Sequence, residues 1–227
     1  MNLDFIGTWE VDAQHSRFGF SARHAMVTKV RGEFGQFEGK AVIKDAGLGE
    51  STVDIVLQVD SIETRSSDRD AHLKNSDFFD VEKYPTITFT STTIDEIDEG
   101  AFIVTGNLTI RGITRAISIP LELTGINEDS FGNVRAGLEG NRRINRKDWG
   151  LKWNQVLDSG GVMVADKITL EFDLSLVKQS DETGSENQAR EEEGGQTAAG
   201  VTEPEDAAQQ NAQTPPTQVF SAPVNTQ

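Results

Sequence analysis

Ile168-Thr169-Leu170-Glu171-Phe172-Asp173-Leu174-Ser175-Leu176 alternates apolar and polar side chains without a break. Successive side chains of an extended chain point to opposite faces, so the five apolar residues share one side and the four polar ones the other. A helix would scatter both sets around its axis. The stretch is therefore a strand with one dry and one wet face, as antiparallel sheets have.

The same period recurs upstream. In Val53-Asp54-Ile55-Val56-Leu57-Gln58-Val59-Asp60 the odd positions are apolar, and Thr86-Ile87-Thr88-Phe89-Thr90 alternates threonine with bulk. Phe102, Val104, Leu108 and Ile110 share a face, as do Ile117, Ile119, Leu121 and Leu123. Turn-forming residues separate the runs at Asp45-Ala46-Gly47-Leu48-Gly49, Asp98-Glu99-Gly100, Arg111-Gly112, Asn127-Glu128-Asp129 and Asp158-Ser159-Gly160-Gly161. This spacing predicts about eight to ten strands joined as hairpins. Two short pieces read as helical, Ser21 to Val30 and Ser66 to Asp77. So many one-faced strands must stack as a sandwich or close into a barrel, and closure removes exposed edges. The expectation is an all-β antiparallel barrel with one or two short helices. A barrel of about eight strands is just wide enough to be filled by side chains or to hold one small ligand.

The chain of 227 residues carries 21 basic and 37 acidic side chains, a net charge of −16, and no cysteine. Disulfides, thiolate zinc sites and thiol nucleophiles are thereby excluded, and the summed field opposes nucleic acid and anionic membranes. The composition changes at Lys178. Residues 179–227 hold nine acidic residues and one basic residue, Arg190, a net charge of −8, and four of the six prolines. Such a segment buries too little apolar surface to offset ordering, so it reads as a disordered acidic tail behind a folded domain of residues 1–178. The tail serves solubility or spacing, or, in a sharper reading, docks a partner around Val219 to Val224.

The first residues, Met1 to Trp9, lack the basic start and apolar run of a secretion signal. No apolar run reaches the roughly 18 residues of a membrane span, and Asn2 stands where myristoylation needs glycine. With Met1 as the start, the expected location is cytoplasmic.

Catalytic signatures fail on spacing. Gly35-Gln36-Phe37-Glu38-Gly39-Lys40-Ala41 lacks a spacer and the hydroxyl of a phosphate loop, and no Gly-x-Ser-x-Gly elbow exists. His15, His24 and His72 stand in separate segments without a helical partner, so no metal site and no cofactor is expected.

Other residues match a pattern in order: Trp9-Glu10-Val11-Asp12-Ala13-Gln14-His15-Ser16, Phe18-Gly19-Phe20, Arg23-His24 and Val30-Arg31-Gly32-Glu33-Phe34-Gly35-Gln36-Phe37-Glu38-Gly39. Ser61-Ile62-Glu63-Thr64, Arg69-Asp70-Ala71-His72-Leu73, Asp77-Phe78-Phe79-Asp80, Tyr84-Pro85 and Phe89-Thr90-Ser91 continue it. Gly106-Asn107-Leu108-Thr109-Ile110-Arg111-Gly112-Ile113-Thr114 and Asn145-Arg146-Lys147-Asp148-Trp149-Gly150-Leu151 complete it. Across residues 3–178 the series resembles the YceI-like family. The resemblance implies a lipocalin-like barrel that holds a polyisoprenoid or other long-chain amphipathic molecule, with no catalytic triad. Members often carry a secretion signal, a pattern that Met1 to Trp9 do not show, and the acidic tail departs from the family pattern.

Within that frame Phe18, Phe20, Phe34, Phe37, Phe89, Phe102 and Phe172 are the candidate pocket lining, because a prenyl chain requires an apolar pocket. The alternative is that the rings simply fill the barrel. The basic run Arg142-Arg143-Ile144-Asn145-Arg146-Lys147 reads mostly as solvated surface, with Arg142 the candidate contact for an anionic head group at a barrel mouth. Arg69, Asp70 and His72 form the densest polar cluster; they read as structural, and the competing reading is an enzyme, a lipid hydrolase or isomerase acting through them. Trp149 and Trp153 read as a loop packed over a barrel end. Small barrels pair through a side wall, so a homodimer is a further expectation that no particular residue carries. The expected partner is thus a hydrophobic or amphipathic small molecule and the expected role is binding, storage or carriage.

Overall fold

A computed structural model describes residues 5–158 and 160–180. The acidic tail expected to be disordered lies outside the described residues from 181 onward.

Strands β1 (Gly7–Val11), β2 (Arg17–His24), β3 (Thr28–Phe34), β4 (Phe37–Ile43), β5 (Thr52–Gln58) and β6 (Ile62–Glu63) precede one helix, α1 (Ser67–Lys74). Then follow β7 (Thr86–Asp98), β8 (Ala101–Ile110), β9 (Ile113–Glu128), β10 (Val134–Asn145) and β11 (Val164–Lys178). The short early strands are broken staves. β1 and β2 both pair with β11, β4 and β3 pair with them in turn, and β5 and β6 flank β4 and β3. Each such pair runs as one kinked strand, so with β7 to β11 the eleven segments form eight staves, and the β1–β11 pairing closes the ring. The result is a closed antiparallel barrel, as the alternation predicted.

At the kink between β1 and β2 the Ser16 hydroxyl accepts from the Ser175 N–H at 2.9 Å and lies 3.2 Å from its carbonyl oxygen, to which it donates. With the Asp12 N–H, which donates to the same carbonyl at 2.9 Å, this side chain gives both backbone groups of Ser175 a partner at the kink.

The segment Ser21 to Val30 is not helical. It is the end of β2, a tight turn and the start of β3, with Phe20 opposite Gly32 and Ala22 opposite Val30. Ala25 and Met26 take left-handed φ values of 48° and 60°, which bends the chain in the sense that matches strand twist. Neither residue carries the Asn-Gly signal of such a turn, and pairing with β3 and β11 overrides the local helix preference. Ser66 to Asp77 does contain a helix, over Ser67–Lys74.

The barrel has two unlike ends. One holds the hairpin between β7 and β8 and the loop between β9 and β10. At the other end the staves separate. Pairing of β9 with β10 stops at Leu121 opposite Gly140, beside Pro120, which has no N–H to offer a ladder. A Cβ on Gly140 would lie 2.2 Å from the Pro120 carbonyl oxygen, so only glycine fits where the strands diverge. The gap beyond is bridged by the tight turn Arg146–Trp149, and Trp149, 2% exposed, donates its indole N–H to the Leu108 carbonyl at 3.1 Å. Phe78, Leu151 and the partly buried Phe79 and Trp153 join the same apolar cluster. Together they plug this end.

Candidate binding cavity

Inward residues of every stave enclose a cavity of about 190 Å³. One enclosed water needs roughly 10–15 Å³ of such space, so the void is more than tenfold too large for a packing defect. Its wall is aliphatic and aromatic, and among the described residues only Lys40 and Glu96 of the lining carry charge. Water gains few hydrogen bonds in such a space, whereas an apolar chain gains dispersion contact on all sides.

The lining runs from Phe5, Trp9 and Phe102 at one end to Phe34, Leu108 and Ile110 under the plug. Phe5 meets Phe102 edge-on at 5.9 Å between centroids, and its carbonyl accepts the Trp9 indole N–H at 2.8 Å. Of the seven phenylalanines singled out from the sequence, Phe18, Phe34, Phe89, Phe102 and Phe172 line the void. Phe37 packs edge-on to Phe18 at 4.7 Å, and Phe20 tilts against Phe34 at 5.8 Å. Those two rings support the wall from beside it. Most of the lining is aliphatic, including Ile87, Ile94, Val104, Ile117, Ile119, Leu138, Leu170 and Leu174. Ring positions alone do not identify these residues, whereas the period of two places most of them on the dry face.

Arg142 stands opposite Leu170, which lines the cavity, yet Arg142 is exposed and outside the lining. It sits just past the point where β10 leaves β9. Arg146, grouped with it as solvated surface, is buried: 3% exposed, it donates to the carbonyls of Leu151 (2.5 Å), Trp153 (2.8 Å), Ala165 (3.1 Å) and Val164 (3.4 Å). Burial pushes its guanidinium below the ordinary arginine range, against the pull of the Asp166 charge. Asp166 Oδ1 lies 3.5 Å from Nη2, close enough to pair but without a hydrogen bond, while Oδ2 accepts from Lys147 at 2.8 Å. The plug is therefore pinned by an arginine whose role depends on loop contacts that alternation does not encode.

The cluster Arg69, Asp70 and His72 is tied to its own neighbourhood. Arg69 donates to the Thr64 hydroxyl at 2.7 Å and to its carbonyl at 2.6 Å, and the same hydroxyl donates to Asp70. His72 lies 3.1 Å from Asp77 and meets Trp153 and Phe78 edge-on at 4.6 and 5.1 Å. None of the three lines the cavity. Among the described residues no three His, Asp or Glu side chains assemble a metal site.

On the outer face, an open crevice of about 590 Å³ lies between β3 and the segment Thr64 to Arg69. Arg17, Lys29, Arg31, Arg65 and Arg69 line it with Glu33, Glu63 and Glu171. Arg17 bonds Glu33 at 2.7 Å and reaches Glu171 at 3.4 Å, and Glu33 chiefly raises its affinity for the proton. Burial pushes Glu171 up, but the Ser21 hydroxyl at 2.7 Å and Arg17 outweigh it and leave the carboxyl below its usual range.

The YceI-like domain matches residues 9–176. The UPF0312 protein plu2095 of Photorhabdus laumondii is 34% identical over 143 residues, which cover 63% of this chain and 74% of that protein. Among solved structures, YceI of Campylobacter jejuni is 26% identical with a TM-score of 0.60, covering 70% of this chain and 90% of that one. A polyisoprenoid binding domain from Saccharophagus degradans, 16% identical, shares the fold with a TM-score of 0.58 over 75% of this chain and 98% of its own. The family match spans every stave of the barrel, and the chain belongs to the YceI-like family.

Proposed function

We propose that the barrel binds, stores or carries a long-chain amphipathic lipid of the polyisoprenoid type. The observation that carries this reading is the apolar void of about 190 Å³ inside a closed barrel. Family membership supports it, as does the shared fold with a domain described as polyisoprenoid binding. Burial of an apolar chain contributes roughly 0.8 kcal/mol per CH₂-sized unit, so affinity derives from chain length and the wall needs few polar contacts. Native mass spectrometry of the purified full chain, followed by solvent extraction, tests the reading. A stoichiometric non-covalent lipid is the expected result; a protein that neither retains nor takes up an added polyprenol refutes it.

A further inference from the structure

Five large apolar residues are strongly exposed on the described surface: Met26, Val27, Ile97, Phe131 and Val156. They sit at opposite ends of the barrel, and their surroundings differ in charge. Ile97 lies among Asp95, Glu96, Asp98 and Glu99, and Phe131 follows Glu128 and Asp129. Met26 and Val27 form the tip of the β2–β3 hairpin, flanked by Arg23, Lys29 and Arg31, all exposed. Val156 belongs to the neighbouring loop, which exposes both Lys152 and Asp158 and which the Ala25 N–H reaches through the Met163 carbonyl at 2.8 Å.

The hairpin carries a placement that costs stability. Arg23 and Lys29 are register partners on adjacent strands, and like charges directly opposite each other destabilise a sheet. Among the described residues no carboxylate pairs with Lys29, Arg31 or Arg65 within 4.0 Å, while Glu33 and Glu171 of the same crevice are engaged by Arg17. Glu63 is the remaining acid there. Arg65 also holds a left-handed φ of 64°, a conformation that costs free energy in a non-glycine residue.

We propose that this end of the barrel docks on bilayers containing anionic lipids, with Met26, Val27 and Val156 entering the interface and Lys29, Arg31 and Arg65 meeting head groups. An apolar tip beside a basic patch fits a bilayer better than it fits an acidic protein, because the tip gains only where there is hydrocarbon to enter. Residues 1–178 carry −8 of the net −16, and within the barrel that charge is unevenly spread. The acidic hairpins lie at the far end of strands roughly 45 Å long, many times the Debye length of about 8 Å in physiological salt. A bilayer touching the hairpin senses the local basic patch.

Sedimentation of the full chain with phosphatidylcholine vesicles, with or without phosphatidylglycerol, tests this. Binding is expected only to the anionic vesicles, falling as salt rises. The pair Lys29→Gln and Arg31→Gln should weaken it roughly 30-fold, Met26→Asn with Val27→Ser should weaken it too, and Lys44→Gln at the other end should leave it unchanged. Thermal unfolding and retained cavity lipid, measured on the same samples, separate loss of docking from misfolding or loss of ligand. Equal binding to both vesicle types, no binding to either, or a full effect of Lys44→Gln overturns the proposal. Binding to soluble polyglutamate without vesicle binding also overturns it, in favour of an acidic protein partner.

Discussion

The buried Arg146 guanidinium donates to the Leu151 carbonyl at 2.5 Å, so a residue in the turn that bridges the strand gap fixes the loop sealing the same end of the barrel. The other three carbonyls it serves belong to Trp153, Val164 and Ala165, where the loop returns into β11. One side chain thereby holds both ends of the plug. Replacement by methionine keeps the apolar bulk and strands these acceptors, each with a desolvation cost. Arg146→Met should lower stability by about 3 kcal/mol and speed ligand release. Urea unfolding measures the first and exchange of bound lipid the second; unchanged stability would show that the plug holds without the guanidinium.

At the opposite end Arg135 binds Asp12 at 2.5 Å and Asp129 at 2.7 Å, tying the β1–β2 kink to the β9–β10 loop. The Arg135 hydrogen bond, against burial and with help from His15, lowers Asp12 to about 2, and Asp129 is lowered further by Arg135 and the Asn133 N–H. A carboxyl depressed in the folded state contributes stability that is complete above its unfolded value near 3.9 and is lost as pH falls through the folded value. Acid unfolding should therefore set in between about pH 4 and pH 2. Arg135→Gln should shift that onset upward and raise both aspartates in an NMR titration. Aspartates that titrate at the same pH in wild type and variant would contradict the arrangement.

Val104 and its register partner Ile119 both line the void. Because these two side chains face open space, Val104→Phe should fill part of it with little loss of stability and weaken lipid uptake. Forcing the same ring into a packed core would cost roughly 1–3 kcal/mol. Calorimetry and lipid uptake on one preparation decide between these, and a destabilised variant with normal uptake would move the ligand elsewhere.

We propose that Arg142, beside the gap between β9 and β10, meets an anionic head group. Arg142→Ala should weaken binding of a prenyl diphosphate roughly fivefold and leave the matching alcohol unaffected. Isothermal titration with the two ligands separates these cases, and equal effects on both would remove Arg142 from head-group recognition.

The barrel was legible because its dry face repeats every second residue. Leu170, Phe172, Leu174 and Leu176 were read as one face and all four line the cavity. What stayed hidden depends on contacts between distant segments. The turn at Ala25 and Met26 has no glycine or asparagine to announce it, and Arg146 looks like its solvated neighbours until the loop folds over it. Pro120 was visible as a residue, but its effect, the parting of β9 from β10 opposite Gly140, needs the register to be known. Alternation likewise marks which side chains point inward without giving the volume they leave, so the pocket itself emerged only from the closed ring.

The most direct measurement is affinity of the full chain for a series of prenyl alcohols of increasing length. A chain buried along an apolar wall should gain at least about tenfold in affinity per added isoprene unit until the cavity is full, and then level off. Affinities that stay flat across the series, or that follow the head group alone, would contradict a lipid held inside the barrel.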